Sequence, residues 1–265
     1  MMAEIRTLVI GIKASLKEIV PSPLWRRWQD IRYRCHKRLA KFKRRPPVGW
    51  VRFGSLRRLQ PIDRSYGWQW GWVLDRYYIE KFLTGFATDI HGRVLEVAEN
   101  HYTLRFGGDR VTQSDVLHYV SGNPKATIVA DLTDADHIPS NTFDCIILTQ
   151  TLQFIYDVKA SIRTLHRILK PGGTLLMTCH GISQISRSDM DNWGEYWRFT
   201  SLSVQKLFCE VFPEYHVTVQ TYGNVLTATA FLHGLTAGEL HQEELDYRDP
   251  DYELILGVRA MKPCD

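Results

Sequence analysis

Val94-Leu95-Glu96-Val97 is a β-branched and aliphatic run with a single acid inside it, entered through Gly92-Arg93 and left through the polar turn Glu99-Asn100-His101-Tyr102. It is too short for a helix and does not alternate strictly, which suits a strand buried on both faces of a parallel sheet. A carboxylate in such a run is costly unless it is hydrogen-bonded or faces a ligand at the strand end. Ligands of open α/β sheets sit beyond the carboxyl ends of the strands. Glu96 and the turn after it therefore mark where a site is expected.

The flanking sequence repeats the pattern. Leu74 to Leu83 reads as a helix leading into this strand, with Tyr77, Ile79 and Phe82 turned toward the sheet. Further strand-like runs are Arg110–Val116, with Ser114-Asp115 at its end, Ala126–Ala130, followed by Asp131-Leu132, and Phe143–Leu148, followed by Thr149-Gln150. Val158, Ile162, Leu165, Ile168 and Leu169 make one helical face, stopped at Lys170-Pro171-Gly172-Gly173. Thr174–Cys179 is a fifth strand, Ser201–Phe212 a helix, and His216–Thr221 and Leu254–Ala260 two last strands around a helical insertion near Val225–Leu240. Strands alternating with helices imply a parallel sheet covered by helices. The rings of residues 61–92 (Tyr66, Trp68, Trp70, Trp72, Tyr77, Tyr78) are expected to fill core rather than to stack on a ligand.

Charge divides the chain. Residues 1–60 hold 16 Lys/Arg against 3 Asp/Glu, and residues 61–265 hold 17 against 26, so a +13 arm precedes a −9 domain. Within the arm, Ile5, Leu8, Ile12, Leu16 and Ile19 step as one amphipathic helix, and Pro21-Ser22-Pro23 interrupts it. A second helix carries Leu24, Trp28, Ile31, Cys35, Leu39 and Phe42 on one stripe and Arg26, Arg27, Arg34, Lys37, Arg38 and Lys41 on the other. That stripe either packs on its own domain or a second subunit, as in a homodimer, or lies in an anionic membrane surface. Nucleic acid is disfavoured because the folded part is acidic and shows no recognition motif. Five widely spaced cysteines with no Cys-x-x-Cys favour a reduced, cytoplasmic setting, with Cys145 and Cys179 acting as small hydrophobes. Neither a signal peptide nor a membrane span is expected.

From Leu74 to Lys262 the chain resembles the class I S-adenosylmethionine-dependent methyltransferases. The residues that carry the likeness are Val94-Leu95-Glu96-Val97, Ser114-Asp115, Asp131-Leu132, Asn141-Thr142-Phe143-Asp144-Cys145-Ile146-Ile147 with Thr149-Gln150-Thr151-Leu152-Gln153, and Leu169-Lys170-Pro171-Gly172-Gly173-Thr174-Leu175. Trp193-Gly194-Glu195-Tyr196-Trp197-Arg198-Phe199-Thr200 is similar to a segment of methyltransferases of polysaccharide and glycolipid assembly. The resemblance implies a Rossmann-like doubly wound sheet of about seven mostly parallel strands with an antiparallel last strand. It also implies S-adenosylmethionine as cofactor and a small-molecule or glycan acceptor; the cysteines place such a protein in the cytoplasm, and its basic arm would hold it peripherally at the inner membrane face.

Under this likeness Asp115 would accept the ribose hydroxyls, Asp131 and the backbone of Leu132 would bracket the adenine, and Glu96, Ala98 and Asn100 would face the methionine end. Gln150 would border the transferable methyl group. His180, directly after the fifth strand, is the expected general base, with His101 and Asp157 as rivals. Trp193, Tyr196, Trp197 and Arg198 would form an acceptor wall of rings and a cation. The family usually places glycines where this chain has Ala98-Glu99-Asn100-His101-Tyr102, with Asn100 as the residue able to turn left-handed. The alternative is a non-catalytic protein of the same fold serving as a binding partner. A nicotinamide enzyme is disfavoured by the lack of Gly-x-Gly-x-x-Gly, and a metal centre by unclustered histidines.

Overall fold

The computed structural model describes residues 30–35, 37, 46–47 and 49–264. The chain divides after Arg58 into two units. In the first, residues 30–35 and 37 are helical and Gly54–Leu56 is a 3₁₀ turn. The helix expected over Ile5–Ile19 and the rest of the basic helix lie outside the described residues. Among the described residues, no helix is long and apolar enough to cross a membrane.

The second unit is built on one sheet of seven strands in the order β3-β2-β1-β4-β5-β7-β6. The strands are β1 (Gly92–Val97), β2 (Val111–His118), β3 (Ile128–Val129), β4 (Phe143–Thr149), β5 (Leu169–His180), β6 (Val217–Tyr222) and β7 (Ile255–Met261). β7 alone runs antiparallel, wedged between β5 and β6. The helices are α1 (Leu74–Gly85), α2 (Val158–Ile168), α3 (Arg187–Trp193), α4 (Ser201–Cys209), α5 (Val225–Leu232) and α6 (Gln242–Asp246).

Successive side chains of a strand point to opposite faces, and the central strands show it. Val94, Cys145 and Ile147 pack with Ile79, Phe82 and Leu83 of α1 on one face. Leu95, Ile146 and Leu148 pack with Ile162 and Leu165 of α2 and Val204 and Phe208 of α4 on the other. α1 lies so close that a Cβ at Gly257 of β7 would stand 2.4 Å from Phe82 Cδ2. Asp157 caps α2 by accepting from Ala160 N (2.9 Å). Cys145 and Cys179 are buried and unpaired, as expected of small hydrophobes.

Three expectations need correction. α2 stops at Ile168 and β5 starts at once at Leu169, so Lys170-Pro171-Gly172-Gly173 belongs to the strand. β2 extends beyond Val116 to His118, because Val116 and Leu117 continue the apolar ladder in register with Glu96 and Val97. The tryptophans of residues 61–92 are not core: Trp68, Trp70 and Trp72 are exposed, whereas Tyr77 and Tyr78 are buried. Between β1 and β2 the chain forms one short helical stretch, residues 101–110, made of a helical start at 101–102, a π-turn (Thr103–Gly107) and a 3₁₀ turn (Gly108–Arg110), in keeping with the short spacing there.

Candidate functional site

The carboxyl ends of β1 to β5 open into a cavity of about 1790 Å³, walled on the far side by residues 64–76, α3 and the segment after it. Small-molecule pockets usually span about 300–1,000 Å³, so two molecules fit side by side. Among the described residues, no group of three or more metal-ligating side chains occurs.

Glu96 lines the cavity and is only 3% exposed, but its carboxylate is turned onto its own chain. Oε2 accepts from Thr103 N and Thr103 Oγ1, both at 2.7 Å, and Oε1 from Tyr102 N at 3.2 Å. Burial, against the pull of these donors, raises its pKa above the ordinary glutamate value. It shapes the turn. Ala98 takes the left-handed conformation (φ 70°) that the glycine-free turn needs, in place of Asn100. Asn100 is outside the cavity lining and donates to Ser114 Oγ (3.2 Å). Glu99 and His101 lie on the exposed rim, Glu99 paired with Lys125 at 3.4 Å.

Asp115 does not reach the cavity. It sits inside β2, 5% exposed, paired with Arg93 Nε (2.7 Å) and accepting from Thr127 Oγ1 (3.0 Å) and Gln113 Nε2 (3.2 Å). The end of β2 offers His118 and Tyr119 instead, both in edge contact with Trp193 of α3 (ring centroids 6.1 Å). Asp131 and Leu132 line the cavity after β3, with Asp131 Oδ1 accepting from Thr133 N (2.8 Å) and Thr133 Oγ1 (2.7 Å). Gln150, after β4, lines it in a left-handed conformation (φ 48°).

His180 ends β5 and lines the cavity at 6% exposure. Its Nε2 stands 3.9 Å from Asp75 Oδ2 in the first turn of α1. Its Nδ1 stands 3.5 Å from Gln153 Nε2, which also donates to Gln150 Oε1 at 3.2 Å. His180 Nε2, Asp75 Oδ1 and Gln153 Oε1 are buried without a hydrogen-bond partner. Unpaired buried polar atoms cost about 1–3 kcal/mol each, and three around one opening point to a polar occupant. Burial alone would raise the Asp75 carboxyl, but the His180 imidazole and Arg76 guanidinium outweigh it and hold the carboxyl below its ordinary range. Arg76 lines the cavity beside the β1 turn, donating to Tyr102 Oη (3.1 Å) and lying over the Trp68 ring (5.8 Å).

Of the expected acceptor wall, Trp193 and Tyr196 line the cavity and Trp197 and Arg198 do not. Trp197 Nε1 donates to Ile155 O (3.0 Å), and Arg198 is held by Glu195 (2.8 Å) and by the Gln184 and Trp197 carbonyls. Their hydrogen bonds anchor the segment rather than the ligand. Asp157 caps α2, although it lies at the cavity edge. Asp75 and Arg76 escape the reading of the sequence, and Gln153 enters it only as the last residue of the Thr149–Gln153 motif, without a role. An acid in the first turn of a helix ordinarily signals only a helix start, and nothing local marks which side of α1 faces the strand ends.

Residues 71–177 match the family described as "Methyltransferase domain". Among curated proteins, the chain is 28% identical over 123 residues to the ubiquinone/menaquinone biosynthesis C-methyltransferase UbiE of Pasteurella multocida, covering 45% of this chain and 41% of that protein. It is 33% identical over 89 residues to UbiE of Klebsiella pneumoniae, covering 32% of each. The chain thus spans about a third to two fifths of the length of these relatives. A solved S-adenosylmethionine-dependent methyltransferase from Archaeoglobus fulgidus aligns at 9% identity with a TM-score of 0.48, covering 71% of this chain and 94% of that one. The matched residues run from the threshold of α1 to the middle of β5.

Proposed function

We propose that this protein is an S-adenosylmethionine-dependent methyltransferase acting on a saccharide or glycolipid intermediate of cell-surface polysaccharide synthesis. One observation carries the reading: a single roomy cavity at the strand ends joins the β1 turn to the buried polar group around His180. When bound, the cofactor supplies an electrophilic methyl group on a sulfonium.

The residues present fit that cofactor, though with other partners than the sequence suggests. Arg76, beside the β1 turn, is the cation available to a methionine carboxylate. Ala98, with its small side chain in the left-handed conformation, leaves the turn's backbone approachable. Asp131, Leu132 and Thr133 border the adenine side. At the end of β2, His118 and Tyr119 line the cavity where Asp115 does not, so they are the residues left to meet the ribose.

The acceptor side is rich in rings: Tyr66, Trp72, Tyr156, Trp193 and Tyr196 line the cavity. Aromatic faces suit the apolar faces of sugar rings, which supports a saccharide acceptor. In this reading the basic arm of residues 1–60 holds the enzyme against an anionic membrane surface where lipid-linked acceptors reside.

Calorimetric titration of the full chain with S-adenosylhomocysteine tests the cofactor assignment. Saturable binding is expected, weakened about 10-fold or more by Arg76→Ala, because a lost charge-assisted hydrogen bond is worth roughly 1.5–3 kcal/mol. No heat at millimolar ligand would overturn the proposal.

A further inference from the structure

We infer that Asp75, Gln153 and His180 form an acceptor site for a vicinal diol, with His180 taking the proton of the hydroxyl that becomes methylated. The inference rests on the methyltransferase reading and adds to it the reacting atom, an oxygen, and the neighbouring group that recognition requires. Methyl transfer to oxygen also sets this chain apart from what the name C-methyltransferase says of its UbiE relatives.

Three buried polar atoms at the cavity lack a partner: His180 Nε2, Asp75 Oδ1 and Gln153 Oε1. His180 Nε2 and Asp75 Oδ2 face each other at 3.9 Å, too far for a hydrogen bond. Asp75 Oδ1 and Gln153 Oε1 are equally without a donor. All three residues line the same cavity, and His180 and Gln153 are more than nine-tenths buried. A ligand that satisfies this set must give one proton to Asp75 and another to the imidazole. Two adjacent hydroxyls do so, whereas the two hydroxyls of a para-quinol stand on opposite sides of its ring and cannot both reach this pair.

The tautomer follows from the chain of amides behind the ring. Gln150, Gln153 and Thr178 are linked by contacts of 3.2 and 3.4 Å, and the O and N of a side-chain amide are interchangeable in such a chain. With both amides turned over, Thr178 Oγ1 donates to Gln150 Oε1 and Gln150 Nε2 donates to Gln153 Oε1. Gln153 Oε1 then also accepts from His180 Nδ1–H, and Gln153 Nε2 takes over the position without a partner, where it can donate to a hydroxyl oxygen of the ligand. His180 Nε2 is left with its lone pair facing Asp75 across the 3.9 Å gap. Phe231 of α5 packs against the ring (centroids 5.8 Å), and the carboxylate facing the imidazole, Asp75, itself interacts with Arg76, next along α1.

In the transfer, the acceptor O–H bond breaks and its proton passes to His180 Nε2. The oxygen pair so freed bonds to the methyl carbon, and the pair of the broken sulfur–carbon bond stays on sulfur. The imidazolium is stabilised by the Asp75 carboxylate, and Asp75 holds the second hydroxyl through Oδ1.

The test offers the full chain isotopically labelled S-adenosylmethionine with phenyl hexosides bearing free vicinal hydroxyls, their monodeoxy counterparts, and a naphthoquinol as carbon acceptor. O-Methyl hexoside is expected, with the deoxy analogues poorer by about 10²-fold or more, since a site built around a hydroxyl rejects its absence strongly. His180→Gln is expected to lower kcat by about 10²–10⁴-fold and abolish the acid limb of the pH–rate profile. Asp75→Asn is expected to raise KM for the hexoside more than for its deoxy form. Melting temperature and S-adenosylhomocysteine binding are measured on both variants, which separates loss of chemistry from loss of fold or cofactor. Methylation on the naphthoquinol carbon, no transfer to any hexoside by a chain that binds S-adenosylhomocysteine, or an unchanged pH profile in His180→Gln would each overturn the inference. A wild-type chain that fails to bind S-adenosylhomocysteine would instead overturn the methyltransferase reading beneath it.

Discussion

Tyr66 (φ 61°), Ala98 (φ 70°) and Gln150 (φ 48°) are three of the four described non-glycine residues in the left-handed region, and all three line the cavity. Such conformations cost about 1–3 kcal/mol each and persist where surrounding structure enforces them, often at functional sites. At Ala98 the strand above and a loop below do so: its N–H bonds Leu117 O (2.9 Å) and its carbonyl accepts from Asn123 Nδ2 (2.8 Å). Ala98→Gly is expected to raise the melting temperature by about 2–4 °C, the equivalent of about 1 kcal/mol, measured by differential scanning calorimetry. Glu96 and the turn were legible because a lone acid in an apolar run has few ways to be satisfied. Asp115 was misread because a strand's end depends on its pairing. Val116 and Leu117 carry β2 onward only because β1 lies alongside, and the acid then finds Arg93 rather than a ligand.

At the scale of elements, α1 is placed by a polar clamp as well as by its apolar face. Asp246 of α6 accepts from Tyr77 Oη (2.5 Å) and Gln242 Nε2 (2.8 Å) and contacts Lys81 Nζ. Hydrogen bonds from Gln242, Lys81 and Tyr77 pull its pKa from 3.8 to about 2. The sign is that of a depressed acid: its stabilising contribution is present above pH 3.8 and fades as pH falls through about 2. Melting curves of wild type and Asp246→Asn are therefore expected to differ above pH 4 and to converge toward pH 2; a constant offset would contradict the clamp. α2 was legible from its stripe of Val158, Ile162, Leu165 and Ile168. α3 was not, since Arg187–Trp193 buries no residue and so carries no apolar period.

For the molecule as a whole, the alternation of strand and helix announced a parallel sheet, and the sheet order now places the ends of β1 and β4 side by side at the cavity. What sequence pattern could not convey is which side chains from distant elements converge there. Asp75 and His180 are separated by more than half the domain, and only the packing of α1 over the sheet brings them together. The reversed strand β7 binds β5 on one side and β6 on the other. Ending the chain after Tyr252 is expected to abolish cooperative urea unfolding, because both neighbours lose their ladder; a sigmoidal transition in the shortened chain would refute this.

That late strand also sets a timetable. A ribosome delivers β5 about 75 residues before the partner that covers its edge, and at roughly 5–20 residues per second the wait is about 4–15 s. Through that interval an apolar edge stands open to pairing with other nascent chains. The protein's yield in a cell should accordingly follow the supply of holdase chaperones more closely than the equilibrium stability of its finished form.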